Sequence, residues 1–378
     1  MEKRLIYADA AATTRISPYV LEKMMPYLTE QFGNASAVHR IGRTARTAIE
    51  EARIHIASAL SCKPDEIFFT GSGTESDNWA LRGICTETGG RKNHIITSSV
   101  EHHAVLHTCR YLEKQGYRVT YLPVSSSGKI NPDDLKKAIT AETALVSIMY
   151  ANNETGVIQP VSDIGQICKN HDIPFHTDAV QAVGYEKIDV NARNISLLSV
   201  SGHKLHAPKG IGALFIRKDT PISNLLFGGA QENNMRPGTE NTAAIVGLGA
   251  AFEKICSDYE EKTRYVENLR NRFEKNLSEN KRISVNGACE KRIPGISSIT
   301  VKNADGERIL LMLDLKGICA SAGSACTSGS SSPSHVLKAM GLSNQDALSS
   351  IRFSFDENNT CEDIDYITEN LINIIRKI

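Results

Sequence analysis

The sequence lacks an excess of charge of either sign: lysine plus arginine and aspartate plus glutamate number 43 each in 378 residues. Nucleic-acid binders carry a basic surplus, so no direct nucleic-acid partner is expected. The chain also lacks any C-x-x-C pair. Its nine cysteines, at 62, 85, 109, 168, 256, 289, 319, 326 and 361, are an odd number, which argues against a disulfide framework or a structural zinc site. No metal is therefore expected. No run approaches the ~18 apolar residues of a membrane span, and residues 1–14 lack the apolar centre of a signal peptide. These absences together lead to the expectation of a cytoplasmic protein with reduced thiols and no membrane contact. Internal repeats are missing too.

What is present is enough apolar material, 41%, for a sizeable core, in a length that fits a large domain plus a smaller one. Between residues 65 and 217 short apolar runs alternate with helical stretches. Strands are expected at Ile67 to Thr70, His94 to Ser98, Tyr117 to Leu122, Ala144 to Tyr150, Ile173 to His176, Ile195 to Val200 and Ile211 to Arg217. Helices are expected at Thr74 to Ile84, Glu101 to Lys114, from Pro132 with Asn131 as its cap, and Val161 to Asn170. Repeated strand–helix units predict a mainly parallel sheet wrapped by helices, with ligands beyond the carboxyl ends of the strands. A charged helix, Phe252 to Asn276, would lead into an α+β unit. There the pattern gives strands at Ser297 to Val301 and Ile351 to Phe355, and helices at Gly306 to Leu315 and from Thr360 to the end. Residues 321–333, rich in Ser, Gly and Ala, read as a flexible loop.

The strand ends carry the chemistry. Thr70-Gly-Ser-Gly73-Thr74-Glu-Ser76 lies between a strand and a helix, where glycines admit a phosphate and a helix N-terminus offers N–H groups. It is neither a full G-x-G-x-x-G nor a P-loop, and alone it reads equally well as a turn. Lys204, in Ser201-Gly-His203-Lys204, could form a Schiff base with a carbonyl, as a lysine of lowered pKa does, or simply be solvated. Asp178 could sit beside a cofactor ring nitrogen, or cap a helix. His102 could stack on a planar ring, against the structural role common for helical histidines such as His103 and His107. Asn152-Asn153-Glu154-Thr155-Gly156 could supply an amide or merely a turn. Five strand ends in succession each present a group suited to one part of a single cofactor, pyridoxal phosphate.

The order G-T-E-S, E-H, N-N-E-T-G, D-A-x-Q, S-G-H-K, R-x-G-T resembles fold-type-I pyridoxal-phosphate enzymes of the class V aminotransferase group, and more narrowly the NifS/IscS-type cysteine desulfurases. Tyr7-Ala-Asp-Ala-Ala-Ala-Thr-Thr14, Phe32-Gly-Asn34 and Gly323-Ser-Ala-Cys326-Thr-Ser328 match as well. The resemblance implies an α/β fold with a mainly parallel seven-stranded sheet in a large domain, 14–257. It also implies a smaller α+β domain, 1–13 plus 258–378, that carries the loop 321–333. It implies that Lys204 carries pyridoxal 5'-phosphate and that Gly73, Thr74, Ser201 and His203 hold its phosphate. Asp178 would pair with the ring nitrogen, Gln181 with the ring oxygen, and His102 would stack. Asn153 would contact cofactor and substrate. Thr239 would reach the phosphate of a partner subunit in a homodimer. Arg352 would bind the carboxylate of L-cysteine, for which a guanidinium fork is suited.

Cys326 is the implied nucleophile. A free thiol titrates near ~8.5, so only a small part is thiolate at neutral pH, and nearby positive charge raises that part. The implied reaction converts L-cysteine to L-alanine and leaves a persulfide on Cys326. An acceptor protein, an iron–sulfur scaffold or a tRNA-thiolation enzyme, would then take the sulfur. Only 26 residues follow Arg352, fewer than in members whose tail docks a scaffold. Asn34-Ala35-Ser36 stands where the family has Asn-Pro-Ser. Rival expectations are a selenocysteine lyase or another class V enzyme, and an inactive partner that keeps the fold only. Cys319 is expected in the core.

Overall fold

The computed structural model describes residues 4–323 and 332–378. Strand β1 (Ile6–Tyr7) precedes helices α1 (Pro18–Thr29) and α2 (Arg40–Leu60). Strand–helix alternation then begins, with β2 (Ile67–Thr70), α3 (Gly73–Thr88), β3 (His94–Ser98), α4 (His103–Lys114), β4 (Arg118–Leu122) and α5 (Pro132–Ala138). It continues with β5 (Thr143–Ser147), α6 (Val161–Asn170), β6 (Phe175–Asp178), β7 (Leu197–Ser201) and β8 (Gly212–Ile216). These strands form one seven-stranded sheet in the order β2-β8-β7-β6-β5-β3-β4. Only β8 runs against its neighbours, so the sheet is mainly parallel, as the alternation predicts. The order reverses between β3 and β5, and a ligand crevice opens beyond the strand ends at such a point.

Helices cover both faces of this sheet. A large cluster joins α1, α2, α6 and the sheet, and a second cluster packs α3 and α4 on the other side. Strands β3, β5, β6 and β7 are buried at every position, which a sheet covered on both faces requires. The polar residues among them are satisfied in place. His94 lies 2.9 Å from both Thr143 and Thr120, and burial, the largest cause, lowers its pKa to about 4.

Helix α7 (Thr242–Leu277) is continuous for 36 residues. Its first turns, through Ala244, Leu248 and Phe252, pack in the large cluster. Its last turns, through Leu269, Phe273 and Leu277, pack in a separate one. The helix opens ten residues before Phe252, where the sequence expectation began it, and Gly247 and Gly249 lie in the added turns. They are needed: a Cβ on Gly249 would lie 2.5 Å from Ala52 of α2, so only glycine allows the two helices this approach.

The separate cluster underlies a four-stranded antiparallel sheet of β9 (Ile283–Val285), β10 (Ile296–Val301), β12 (Ser321–Ala322) and β13 (Ser350–Ser354), ordered β12-β13-β10-β9. Strand β11 (Ile318–Cys319) pairs in parallel with β1, which brings the chain's N-terminal segment onto this unit. Cys319, expected in the core, is half-buried at that short strand's end. Helices α8 (Gly306–Asp314), α9 (His335–Ala339), α10 (Asn344–Leu348) and α11 (Cys361–Lys377) complete the fold. Thr360 and Asp363 form a reciprocal cap on α11, and Arg376 and Lys377 sit at its negative end. Among the described residues no helix is long and apolar enough to cross a membrane.

Candidate active site

A cavity of about 340 Å³ lies beyond the carboxyl ends of β3, β5, β6 and β7 and is closed on one side by β13. Among the residues singled out from sequence, Gly73, Thr74, His102, Asn153 and Asp178 line it, as do Gln181, Ser201, His203, Lys204 and Arg352. Two do not. Thr239 is exposed, away from this chain's own cavity. Cys326 lies outside the described residues, within 324–331.

Each side chain is placed by a local rule. Ser72 caps α3 through its Oγ, which accepts from Glu75 N at 3.1 Å. The N–H groups of Gly73 and Thr74 have no acceptor inside their own helix and point out of its positive end. A Cβ on Gly73 would lie 2.8 Å from Val180 Cγ2, so the bare backbone forms that wall. His102 is the N-cap of α4, not its second residue as the sequence suggests. Its Nδ1 accepts from Ala104 N at 3.2 Å, which fixes the ring and puts the neutral ring's proton on Nε2. Asp178 is the last residue of β6, rather than lying beyond its end, and its Oδ1 accepts from Val180 N at 2.9 Å. Asn152 takes the turn-forming role: its Oδ1 accepts from Glu154 N and Thr155 N, both at 2.9 Å, leaving Asn153 on the cavity.

The N-terminal segment folds into the site. Lys204 Nζ donates to Ala12 O at 2.8 Å and also to Ala11 O. Gln181 Nε2 donates to the same Ala11 carbonyl at 3.0 Å. His203 Nδ1 lies 3.2 Å from Thr13 Oγ1, and burial, ahead of the charges of Lys204 and Lys209, lowers its pKa to about 4. Arg352, on β13, donates from Nη1 to Asn153 O at 3.0 Å and from Nη2 to Asp9 Oδ1 at 2.9 Å. Its Nε is buried with no partner among the described residues.

Buried acids surround these groups, and sequence reasoning missed them. Asp77, Glu101 and Glu154 are each about 1% exposed or less. A carboxylate oxygen of Asp77, one of Asp178 and a ring nitrogen of His102 all lie within 4.8 Å of one another. Burial, and then the charge of Asp178, pushes Asp77 well above the usual carboxylate range. Burial also raises Asp178, opposed by the charges of His102 and Lys204. Glu101 accepts from Ser98 Oγ at 2.5 Å and from Met149 N at 3.0 Å, and burial raises its pKa to about 8. The spacing G-T-E-S-D placed Asp77 one helical turn inside α3, facing the sheet, and that was the available signal.

The donor set fits pyridoxal 5'-phosphate. A helix N-terminus with two hydroxyls and an imidazole suits a dianion. The carboxyl of Asp178, buried and raised by that burial, gains from a cationic ring nitrogen beside it. A lysine amine and an imidazole held by its cap share the same space.

Comparison with known proteins agrees with this geometry. The model of the family described as aminotransferase class-V matches residues 6–367. The chain is similar to a protein named cysteine desulfurase IscS from Methanosarcina thermophila, 49% identical over 377 residues, covering 100% of this chain and 93% of that protein. Among solved structures it is similar to one titled NifS-like protein, with TM-score 0.93 and 37% identity over 99% of this chain and 100% of that one. A second, titled SspA in complex with cysteine, gives TM-score 0.84 and 39% identity over 93% of this chain and 99% of that one. With its cofactor cavity and its whole length accounted for in this way, the chain belongs to the aminotransferase class-V family.

Proposed function

We propose that this enzyme is a pyridoxal-phosphate-dependent cysteine desulfurase, converting L-cysteine to L-alanine and placing the sulfur on Cys326 as a persulfide. The observation that carries the reading is the meeting of Lys204, Asp178 and Arg352 on one cavity: an amine, a buried carboxyl and a guanidinium lining one space.

Bound there, pyridoxal phosphate supplies an aldehyde for amines and an electron sink for charge developing on the substrate's Cα. Gly73, Thr74, Ser201 and His203 bind its phosphate. Asp178 would hold the proton on its ring nitrogen, Gln181 would address its ring oxygen and His102 would stack on it. Arg352 orients the substrate carboxylate, with Asn153 beside it. The amine of Lys204 takes the proton from Cα. The thiolate of Cys326 attacks the substrate sulfur, forming an S–S bond as the C–S bond breaks, and a proton returned to the substrate carbon completes alanine.

The division into a large unit, 14–257, and a small unit, 1–13 plus 258–378, fits this scheme, because Arg352 then reaches the cavity from the small unit. Thr239, exposed on this chain, is suited to a partner's phosphate in a homodimer. The compartment proposed is the cytoplasm, and the acceptor of the persulfide is a protein of iron–sulfur assembly or tRNA thiolation.

The test is turnover of L-cysteine by the cofactor-loaded protein. Alanine should form in step with sulfide released by a reductant, and Cys326→Ser should abolish both while retaining the cofactor's visible absorption. Full alanine production by Cys326→Ser would overturn the sulfur role, and no alanine from the native protein would overturn the whole reading.

A further inference from the structure

His103 is an anomaly in the cavity wall. It opens the first turn of α4 and lines the cavity beside His102. Both its ring nitrogens, Nδ1 and Nε2, are buried and lack a partner among the described residues. A neutral imidazole carries one donor and one acceptor, and burying both unmade is costly, so such a group calls for a specific reason. Other imidazoles surround it. The His103 ring lies 4.8 Å from that of His335 on α9, 5.0 Å from that of His107 and 6.4 Å from that of His102. His335 is anchored, its Nε2 lying 2.9 Å from Glu101 O. His107 is exposed. A file of rings therefore leads from the cofactor cavity, through His103, to solvent.

We propose that His103 is a proton-relay residue, passing protons between the thiol chemistry in the cavity and His107 at the surface. The inference rests on the desulfurase reading. That reaction releases no net proton, but a thiol must lose one before it attacks and a substrate carbon must gain one afterwards. The two events are separate, so a proton leaves by one hop and another returns by the reverse. At each hop one ring nitrogen of His103 accepts a proton and the other gives up its own, and no charge accumulates.

The surroundings require that neutral mode. The titratable or charged groups facing His103 are His102, His107 and Arg110 along α4 and His335 from α9. Burial first, then these neighbours, lowers its pKa to about 4. A protonated His103 is thus disfavoured at neutral pH, while a neutral ring that takes and gives together is not.

The experiment uses the holoenzyme and two variants. His103→Ala should keep the cofactor's visible absorption and lose about 100-fold in kcat for alanine formation. Added imidazole should restore most of that loss, which a merely structural role would not allow. His107→Asn should make kcat depend on buffer concentration. Wild-type kcat in His103→Ala, or a loss that imidazole leaves untouched while the cofactor stays bound, overturns the relay. If His103→Ala fails to hold cofactor, a buffer-independent wild-type kcat in His107→Asn overturns it. Imidazole ¹⁵N NMR gives a readout free of turnover: the His103 N–H should be neutral at pH 7 and exchange with solvent more slowly in His107→Asn. Equal exchange in the two proteins refutes the path even if the native protein makes no alanine, an outcome that would sink the assigned reaction separately.

Discussion

Arg352 Nη2 donates to Asp9 Oδ1 at 2.9 Å, which ties strand β13 to the N-terminal segment at the cavity's edge. The other oxygen of Asp9 accepts from Ser321 Oγ at 2.7 Å, so one carboxylate sets both the guanidinium and the start of β12. Arg352 is 2% exposed, so its charge is held out of water and Asp9 is the carboxylate that pairs with it. Removing one member of a buried pair typically costs about 3–5 kcal/mol, because the other charge is left uncompensated. Asp9→Ala should therefore lower Tm and raise KM for L-cysteine at least ~10-fold, with a smaller change in kcat. Steady-state kinetics and a thermal melt check this, and an unchanged KM would count against Arg352 as the carboxylate site.

The wall made by Gly73 gives a second expectation. A methyl there would press on Val180 Cγ2 and shield the first N–H groups of α3 from an anion. Gly73→Ala should weaken cofactor binding by roughly 10-fold or more, the loss of about one charge-assisted hydrogen bond. Equilibrium dialysis of pyridoxal phosphate measures it, and native affinity in the variant would show that the phosphate lies elsewhere.

Lys204 is held by two carbonyls, those of Ala11 and Ala12, that sequence spacing could not have placed beside it. The amine thus points into the cavity in a fixed direction. Lys204→Ala should still bind pyridoxal phosphate, because the phosphate and ring contacts remain, but should lose at least ~10³-fold in turnover. Its absorption should shift to that of free cofactor, and unaltered turnover would remove Lys204 from the chemistry.

Much of this site was legible before the fold, for a physical reason. A parallel sheet sends its ligand-binding groups out at strand ends, and strands and their ends are local in sequence. Lys204, Asp178 and His102 were found that way. What escaped depends on contacts between distant segments. Asp9 and Arg352 are 343 positions apart, and nothing local says that they meet. The buried acids escaped for a different reason. Asp77 and Glu101 look like surface residues by composition, and only packing shows that α3 and the turn after β3 carry them inside. Helices α1 and α2 went unread because they precede the alternating units. The turns of α7 before Phe252 hold Gly247 and Gly249, which close packing against neighbouring helices requires and which no local helical signal marks.

Glu101 links the interior to pH. It is fully buried, its pKa is raised to about 8 by burial, and Ser98 Oγ and Met149 N oppose the shift only in part. A carboxyl whose folded pKa exceeds its unfolded value stabilises the fold fully below the unfolded value, near ~4.3. As pH rises from there toward 8 the unfolded chain gives up its proton while the native state keeps it, so stability falls through that window and then levels off. Glu101→Gln replaces the acid with a neutral group of the same shape and removes this dependence. The stability difference between native protein and variant should therefore move in the variant's favour by a few kcal/mol between pH 5 and pH 8. Denaturant melts of both holoenzymes across that range measure it. A difference that stays constant with pH would mean that Glu101 is ionised in the fold, and that Met149 N and Ser98 Oγ suffice to hold the charge.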